Sequence, residues 1–166
     1  GAGLVCDCAD YPRWLDRSED NPADRDNLYG NSLYRARAAG GVELIVMNQG
    51  EHDVSGNTGE EAYLAALKAL VANYRKDLGR DVPFFYCQLG PARPGSWSDE
   101  KGAVMDGIRA AQMRFNDPEQ GVILAAVEMD LDRNSDNLHY TTASQSVIGR
   151  RVANAIRWYY DAAPDR

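Results

Sequence analysis

The stretch VELIVMNQGEHD, residues 42–53, decides the fold class. Its first half, 42–47, is an apolar run without period-two alternation, which is typical of a strand buried on both faces of a parallel sheet. Its second half is polar and contains His52, one of only 2 histidines in the chain. In open α/β sheets, ligands bind in loops beyond the carboxyl ends of the strands. The stretch therefore predicts a buried strand that leads directly into a functional loop.

Apolar strands and amphipathic helices alternate along the rest of the chain. Besides 42–47, the apolar runs predict strands at 3–8, 82–89 and 122–129. Helical spacing of apolar residues, with stop signals such as Gly79, predicts helices at 28–39, 59–78, 100–115 and 142–160. The order predicts an α/β fold: a three-layer α/β/α sandwich with a parallel sheet and helices on both of its faces.

Length and charge limit the class of protein. With 166 residues, the chain is expected to form a single domain with a sizeable core. Its net charge of -7 repels phosphate backbones, so nucleic acid is not expected as a partner. No stretch is long and apolar enough to cross a bilayer, so no membrane-spanning segment is expected, nor is a signal peptide expected in residues 1–166.

The cysteines do not form a metal-binding pattern. Cys6, Cys8 and Cys87 are an odd number and lack a Cys-x-x-Cys spacing, so buried free thiols are predicted. They leave the cellular compartment open.

The second histidine, His139, lies in the predicted loop 130–140, just before the last helix. Asp136 precedes it by three residues, a spacing at which a carboxylate can accept a hydrogen bond from the imidazole. Such a bond fixes the tautomer and leaves the other ring nitrogen to act as a base. The alternative is a histidine that caps the following helix or lies at its surface.

The polar half of the opening stretch offers further candidates. Gln49 at a strand end can aim its amide into a cleft as an oxyanion donor, or it can simply bond to the neighbouring backbone. Gly50 permits a sharp turn or a close approach to a ligand. The run Glu51-His52-Asp53 is too short to converge on one ion, so no metal site is predicted.

Together these two motifs carry a family resemblance. A Gln-Gly-Glu-x-Asp sequence after a buried strand, with Asp-x-x-His before the last helix, resembles the SGNH hydrolase superfamily. Within it, the chain is similar to the carbohydrate-esterase branch that contains sialate O-acetylesterases and acetylxylan esterases. The segments that resemble this branch, from residue 3 to about 160, include 28–31, 75–79, 82–85, 108–112 and 148–151.

The resemblance implies a flavodoxin-like sheet, an acetylated carbohydrate as substrate and no metal or organic cofactor. It makes His139 the general base, Asp136 its orienting acid and Gln49, beside Gly50, a side-chain oxyanion donor. Glu51 and Asp53 become supporting residues that shape the loop. If this is right, Gln49 and His139 must face one cleft.

The chain departs from the family at two places. Met47 and Asn48 stand where the family has an aromatic pair, which changes one wall of the pocket. The glycine-rich block that carries the nucleophilic serine on the family's first strand has no counterpart, and segment 3–6 resembles the second strand instead. The expectation is a domain, residues 1–166, that lacks its first strand.

The serine nucleophile stays unassigned. Ser32 follows no apolar strand, and Ser55 lies in the loop after the Gln-Gly-Glu segment, so both are interpreted as ordinary polar residues. The predicted function is a carbohydrate O-acetylesterase domain that, without a nucleophile, should itself be poorly active or inactive unless a second chain supplies the first strand; the alternative is a non-catalytic module that binds carbohydrate or a protein. An exposed sheet edge further predicts dimerisation or strand exchange on the N-terminal side.

Overall fold

A parallel three-stranded sheet forms the centre of the fold. The structure is a computed structural model that describes residues 2–6, 13–91 and 98–162. The strands are Ile45–Met47 (β1), Phe84–Gln88 (β2) and Val122–Val127 (β3), in the order β1-β2-β3. Both strand pairs are parallel, and all residues of the central β2 are buried. Apolar residues on both faces of β2 explain why its sequence does not alternate.

In the part of the chain that the structure describes, five helices flank the sheet, and most begin and end at residues that the sequence marks. Asn27, Ser98 and Thr141 each accept a backbone hydrogen bond at a helix start, and Gly79 ends the longest connecting helix in a left-handed conformation. The helices are Leu28–Ala38 (α1), Glu51–Ser55 (α2), Glu60–Leu78 (α3), Asp99–Phe115 (α4) and Thr142–Asp161 (α5), with a 3₁₀ turn at Pro118–Gln120.

The two faces of β2 pack against different helices. Phe84 and Tyr86 point to the side of α3 and α4, where both rings contact Phe115. Phe85 points to the opposite side, where its ring contacts Tyr159 of α5 edge-on. Strands therefore lie between two helical layers, and the predicted three-layer α/β/α fold with a parallel sheet is confirmed.

The prediction of a strand at 3–8 is wrong for residues 3–6, which the structure describes. Residues 2–6 form a bend, because the backbone N–H groups of Leu4, Val5 and Cys6 donate to the carboxylate of Asp53 instead of a neighbouring strand. The rest of that predicted strand, residues 7–8, lies outside the described residues. Cys87 is buried and free as predicted, whereas Cys6 is disulfide-bonded, which corrects the prediction for that residue.

The sequence also missed α2. Residues 48–58 are predicted as a loop, but Glu51–Ser55 form a short helix directly after the strand. Five residues are too few for a helical hydrophobic pattern to be recognised. This helix places Glu51, His52 and Ser55 beside the carboxyl end of β1.

Over the described residues, β1 and β3 are the two edge strands of the sheet, and the outer side of β1 is the one next to the cleft-forming segment. Among the described residues, no strand pairs with the outer side of β1, and Val46 on that strand is 47% exposed. A groove of about 290 Å³ runs along this edge between β1, Trp14 and Tyr74. Over the described part of the chain, none of the helices is long and apolar enough to span a bilayer.

Candidate active site

A cleft of about 500 Å³ opens at the carboxyl end of β1. One wall comes from the segment that follows β1 and from α2, and the other from the loop before α5. Its lining includes the polar residues Asn48, Gln49, Glu51, His52, Ser55, His139, Tyr140 and Gln145. The two histidines of the chain, 87 positions apart by their numbers 52 and 139, thus meet at one surface.

The imidazole of His139 is paired with Asp136. Its Nδ1 lies 2.8 Å from Oδ2 of Asp136, so Nε2 is the ring nitrogen left for chemistry. The imidazole remains 72% exposed, which allows a substrate or a second segment to reach it. The pair has the geometry of a base with an orienting acid.

The loop holds Asp136 through its backbone as well. Oδ1 of Asp136 accepts hydrogen bonds from the backbone N–H groups of Leu138 and His139, both at 2.9 Å. Asn137 between them adopts a left-handed φ of 57°, a conformation that asparagine tolerates. The helix that follows is capped by Thr141, whose side chain accepts from Ser144. His139 is therefore not the helix cap.

The same contacts determine the protonation state of Asp136. The hydrogen bond from His139 and those from the two backbone N–H groups lower the pKa of Asp136 to about 2. At neutral pH the carboxylate is ionised and can stabilise a protonated imidazole.

The side-chain amide of Gln49 is fully occupied by protein partners. Its Nε2 donates to Oδ2 of Asp53 at 2.6 Å and to the carbonyl of Ala2 at 3.2 Å, and its Oε1 accepts from the hydroxyl of Tyr63 at 3.0 Å. Gln49 lies at the cleft, but to donate to an oxyanion it must first give up one of these bonds. Its role as the oxyanion donor stays a prediction.

Asp53 is the centre of this network. Its carboxylate is completely buried and accepts from three successive backbone N–H groups of residues 4–6, from Gln49 and from the hydroxyl of Thr58. Five donors around one buried carboxylate replace the water that it loses on folding. Asp53 therefore fastens segment 2–6 to the segment after β1, and its supporting role at the site stays a prediction.

Gly50 allows the chain to turn sharply behind Gln49. Its φ is 152°, and a Cβ atom at this position would lie 2.7 Å from the Leu89 side chain. The backbone carbonyl of Gln49 accepts hydrogen bonds from the hydroxyl of Tyr63 on α3 and the side-chain amide of Gln112 on α4, and these two helices hold the turn in place. A residue with a side chain at position 50 would have to adopt this strained φ and displace the buried side chain of Leu89.

Of the two serines considered as nucleophiles, only Ser55 lies at the cleft. Its hydroxyl donates to the Glu51 carbonyl at 3.3 Å, a bond within α2. Ser32 lines the groove along β1 instead, and its hydroxyl bonds to the carbonyl of Tyr29 and the hydroxyl of Tyr74. Within the described ranges, no group of three or more His, Cys, Asp or Glu residues is placed to hold a metal ion.

A buried carboxyl at the end of β3 was not anticipated. Glu128 is completely buried, and its Oε1 accepts a 2.7 Å hydrogen bond from Nδ2 of Asn48. Burial raises the pKa of Glu128 to about 7, while hydrogen bonds from Tyr140 and Asn48 oppose the rise. Residue 128 falls inside the strand predicted at 122–129. The one feature of the sequence that points to it is that a carboxylate interrupts an apolar run.

The family model described as carbohydrate esterase, sialic acid-specific acetylesterase, matches residues 10–157. No curated protein sequence matches the chain at a significant level.

Solved structures share the fold. A protein from Arabidopsis thaliana is 25% identical with a TM-score of 0.59, over 80% of this chain and 52% of that protein. A carbohydrate acetylesterase from Xanthomonas citri is 21% identical with a TM-score of 0.51, over 71% of this chain and 26% of that protein. An acetyl esterase variant crystallised with acetate is 16% identical with a TM-score of 0.51, over 73% of this chain and 60% of that protein. The chain thus spans about half of the Arabidopsis protein.

Proposed function

Because the chain belongs to the sialic acid-specific acetylesterase family of carbohydrate esterases, we propose that it forms the acid–base side of a site that removes acetyl groups from sugar esters. The observation that carries this proposal is the pairing of His139 with Asp136 at 2.8 Å, with the imidazole lining a cleft beside Gln49. A neutral imidazole that is oriented by an ionised carboxylate is the arrangement that a general base needs.

In the proposed reaction, a serine hydroxyl attacks the acetyl carbon while Nε2 of His139 takes the hydroxyl proton. The carbonyl oxygen becomes an oxyanion, and amide N–H groups at the cleft, with Gln49 as one candidate, stabilise it. His139 then gives the proton to the sugar oxygen as the bond between that oxygen and the acetyl carbon breaks. Water repeats the sequence on the acetyl-serine and releases acetate.

The nucleophile is proposed to come from a strand that pairs with the open edge of β1. That edge lies next to the cleft, since Asn48 and Gln49 line both the cleft and the groove along β1. The strand can belong to a second copy of the chain or to another segment of a longer protein. Ser55 is the competing candidate, because it lines the cleft itself.

A non-catalytic module that binds carbohydrate or a protein is the second candidate function. The commitment of both amide hydrogens of Gln49 to Asp53 and Ala2 favours it, because an oxyanion donor needs a free hydrogen. The paired His139 and Asp136 favour the esterase, because an exposed ion pair or hydrogen bond of this kind adds little to the stability of the loop.

Hydrolysis of p-nitrophenyl acetate separates the two candidates. We expect His139→Ala to lower turnover roughly 10²- to 10⁴-fold, whereas Asn154→Ala, at an exposed position of α5, leaves it unchanged. Turnover that survives in Ser55→Ala points to a nucleophile from another segment or copy. Equal rates for the wild type and His139→Ala would show that this chain by itself has an incomplete or retired active site, and would favour the binding module.

A further inference from the structure

A second side-chain amide lies at the cleft, and it is placed differently from that of Gln49. Asn48 immediately follows β1, lines the cleft together with His139, and is exposed. Among the described residues, Nδ2 of Asn48 donates one hydrogen bond, to Glu128. Since an amide nitrogen carries two hydrogens, one remains for a ligand in the cleft.

Glu128 holds this amide from a rigid position. It follows β3, and its backbone N–H donates to the carbonyl of Gln88 at the end of β2. The bond from Asn48 to Glu128 therefore crosses the carboxyl end of the central strand and fixes the amide in one orientation. A donor that is already fixed loses no further conformational entropy when the ligand binds.

Gly90 and Tyr140 complete the support. The backbone N–H of Gly90 donates to the hydroxyl of Tyr140 at 3.2 Å, and a Cβ at position 90 would lie 2.5 Å from the carbonyl oxygen of Glu128. Only glycine allows the end of β2 to lie this close to Glu128 and to the residue that follows His139. The segments that carry Asn48, Glu128 and His139 are thus packed into one unit.

We propose that Asn48, fastened by Glu128, is a further side-chain amide that donates to the acyl oxygen of the bound ester, one whose hydrogen is available without breaking the bonds that hold Gln49. This inference rests on the proposed esterase function and deepens it by naming a further donor. Glu128 is a positioning residue, since it acts through Asn48. The exposed amide of Asn48 has a hydrogen to give, and the amide of Gln49 has none.

The charge of Glu128 affects how strongly the site binds an oxyanion. An ionised carboxylate behind Asn48 repels an oxyanion, whereas the neutral acid does not. Its pKa of about 7 means that the carboxyl is increasingly neutral below pH 7. Besides Asn48, the groups that interact with it from the surrounding elements are Glu51, Cys87, Arg133, Tyr140 and Arg151.

Acetate, the acyl product with its two carboxylate oxygens, is a suitable probe. In an acetate titration of the ¹⁵N-labelled protein at pH 7, we expect the side-chain amide signals of Asn48 to shift. Asn48→Ala removes these signals, which assigns them, and weakens acetate binding about tenfold, the loss expected for one hydrogen bond to a charged group. Asn154→Ala serves as the matched control and keeps the affinity of the wild type.

Glu128→Gln tests the positioning role. The neutral amide keeps an oxygen that accepts from Asn48, so acetate affinity is retained at pH 7 and loses the part of its pH dependence that comes from residue 128, leaving that of the cleft imidazoles. Glu128→Leu removes the acceptor and weakens binding as Asn48→Ala does. A structural role alone would not remove that part of the pH dependence.

The inference is overturned if acetate binds with equal affinity to the wild type and Asn48→Ala, or if the wild type does not bind acetate at all. If His139→Ala abolishes ester hydrolysis while Asn48→Ala matches Asn154→Ala, the esterase stands and the assignment of Asn48 falls. If the Asn48 signals shift with acetate but hydrolysis does not depend on His139, the amide site stands and the esterase falls.

Discussion

The side-chain amide of Gln49 donates a 2.6 Å hydrogen bond to the buried carboxylate of Asp53, four residues further along the chain. That carboxylate also accepts hydrogen bonds from the backbone N–H groups of residues 4–6. Asp53 therefore holds both Gln49 at the cleft and the first described segment of the chain. The position of Gln49 is therefore coupled to the packing of segment 2–6. Disturbing Asp53 should affect stability and the cleft together.

Asp53→Asn tests this coupling. The asparagine brings an NH₂ group toward donors that need an acceptor, and it removes a charge that holds five hydrogen bonds, so we expect a loss of roughly 2–4 kcal/mol in the free energy of unfolding. Urea denaturation measures the loss. Asp20→Asn, at an exposed position, is the matched control and should change stability by less than about 0.5 kcal/mol. Equal midpoints for the two variants would contradict the role of Asp53.

Asp136→Asn should separate positioning of the imidazole from folding. The amide no longer stabilises a protonated His139, so p-nitrophenyl acetate turnover should fall about 10²-fold or more, while the melting temperature changes little because the loop is exposed. Asp132→Asn in the same loop provides a comparison away from the imidazole. A variant with normal turnover would show that the pair has no catalytic role.

The pairing of Asp136 with His139 should survive moderate acid. The pKa of Asp136 is lowered to about 2, so its contribution to stability is present above the ordinary value of 3.8 and is lost as the pH falls through 2. We expect the Nδ1 proton signal of His139 in NMR spectra to remain shifted downfield at pH 4. Loss of that signal at pH 5 would mean that the bond to Asp136 does not form in solution.

The sequence predicted the fold and the contact between Asp136 and His139 because both depend on local patterns. Apolar runs marked β2 and β3, and the three-residue spacing of Asp136 and His139 placed acid and imidazole in contact. Contacts between distant segments left no such pattern. The bond from Asn48 to Glu128 joins residues 80 positions apart, and the donors to Asp53 come from a segment predicted to be a strand.

Glu128→Gln should change how stability depends on pH. Burial raises the folded-state pKa from an ordinary 4.5 to about 7, so the contribution of Glu128 is complete below pH 4.5 and is lost as the pH rises through 7. The glutamine variant does not titrate, so its stability relative to the wild type should increase by roughly 2–3 kcal/mol between pH 4.5 and 8. Denaturation at several pH values measures this. Parallel curves for both proteins would contradict a raised pKa.

The open edge of β1 predicts self-association. A strand with an unpaired edge and an exposed Val46 offers hydrogen-bonding groups and apolar surface to a strand from another chain. At high protein concentration, light scattering should detect dimers. Val46→Lys, which places a charge on the edge, should shift the protein to monomers, whereas Met113→Lys, an equally exposed apolar site on α4, should not. A wild type that remains monomeric at millimolar concentration would contradict pairing between copies at β1, and would leave another segment of a longer protein as the source of the nucleophilic strand proposed for this edge.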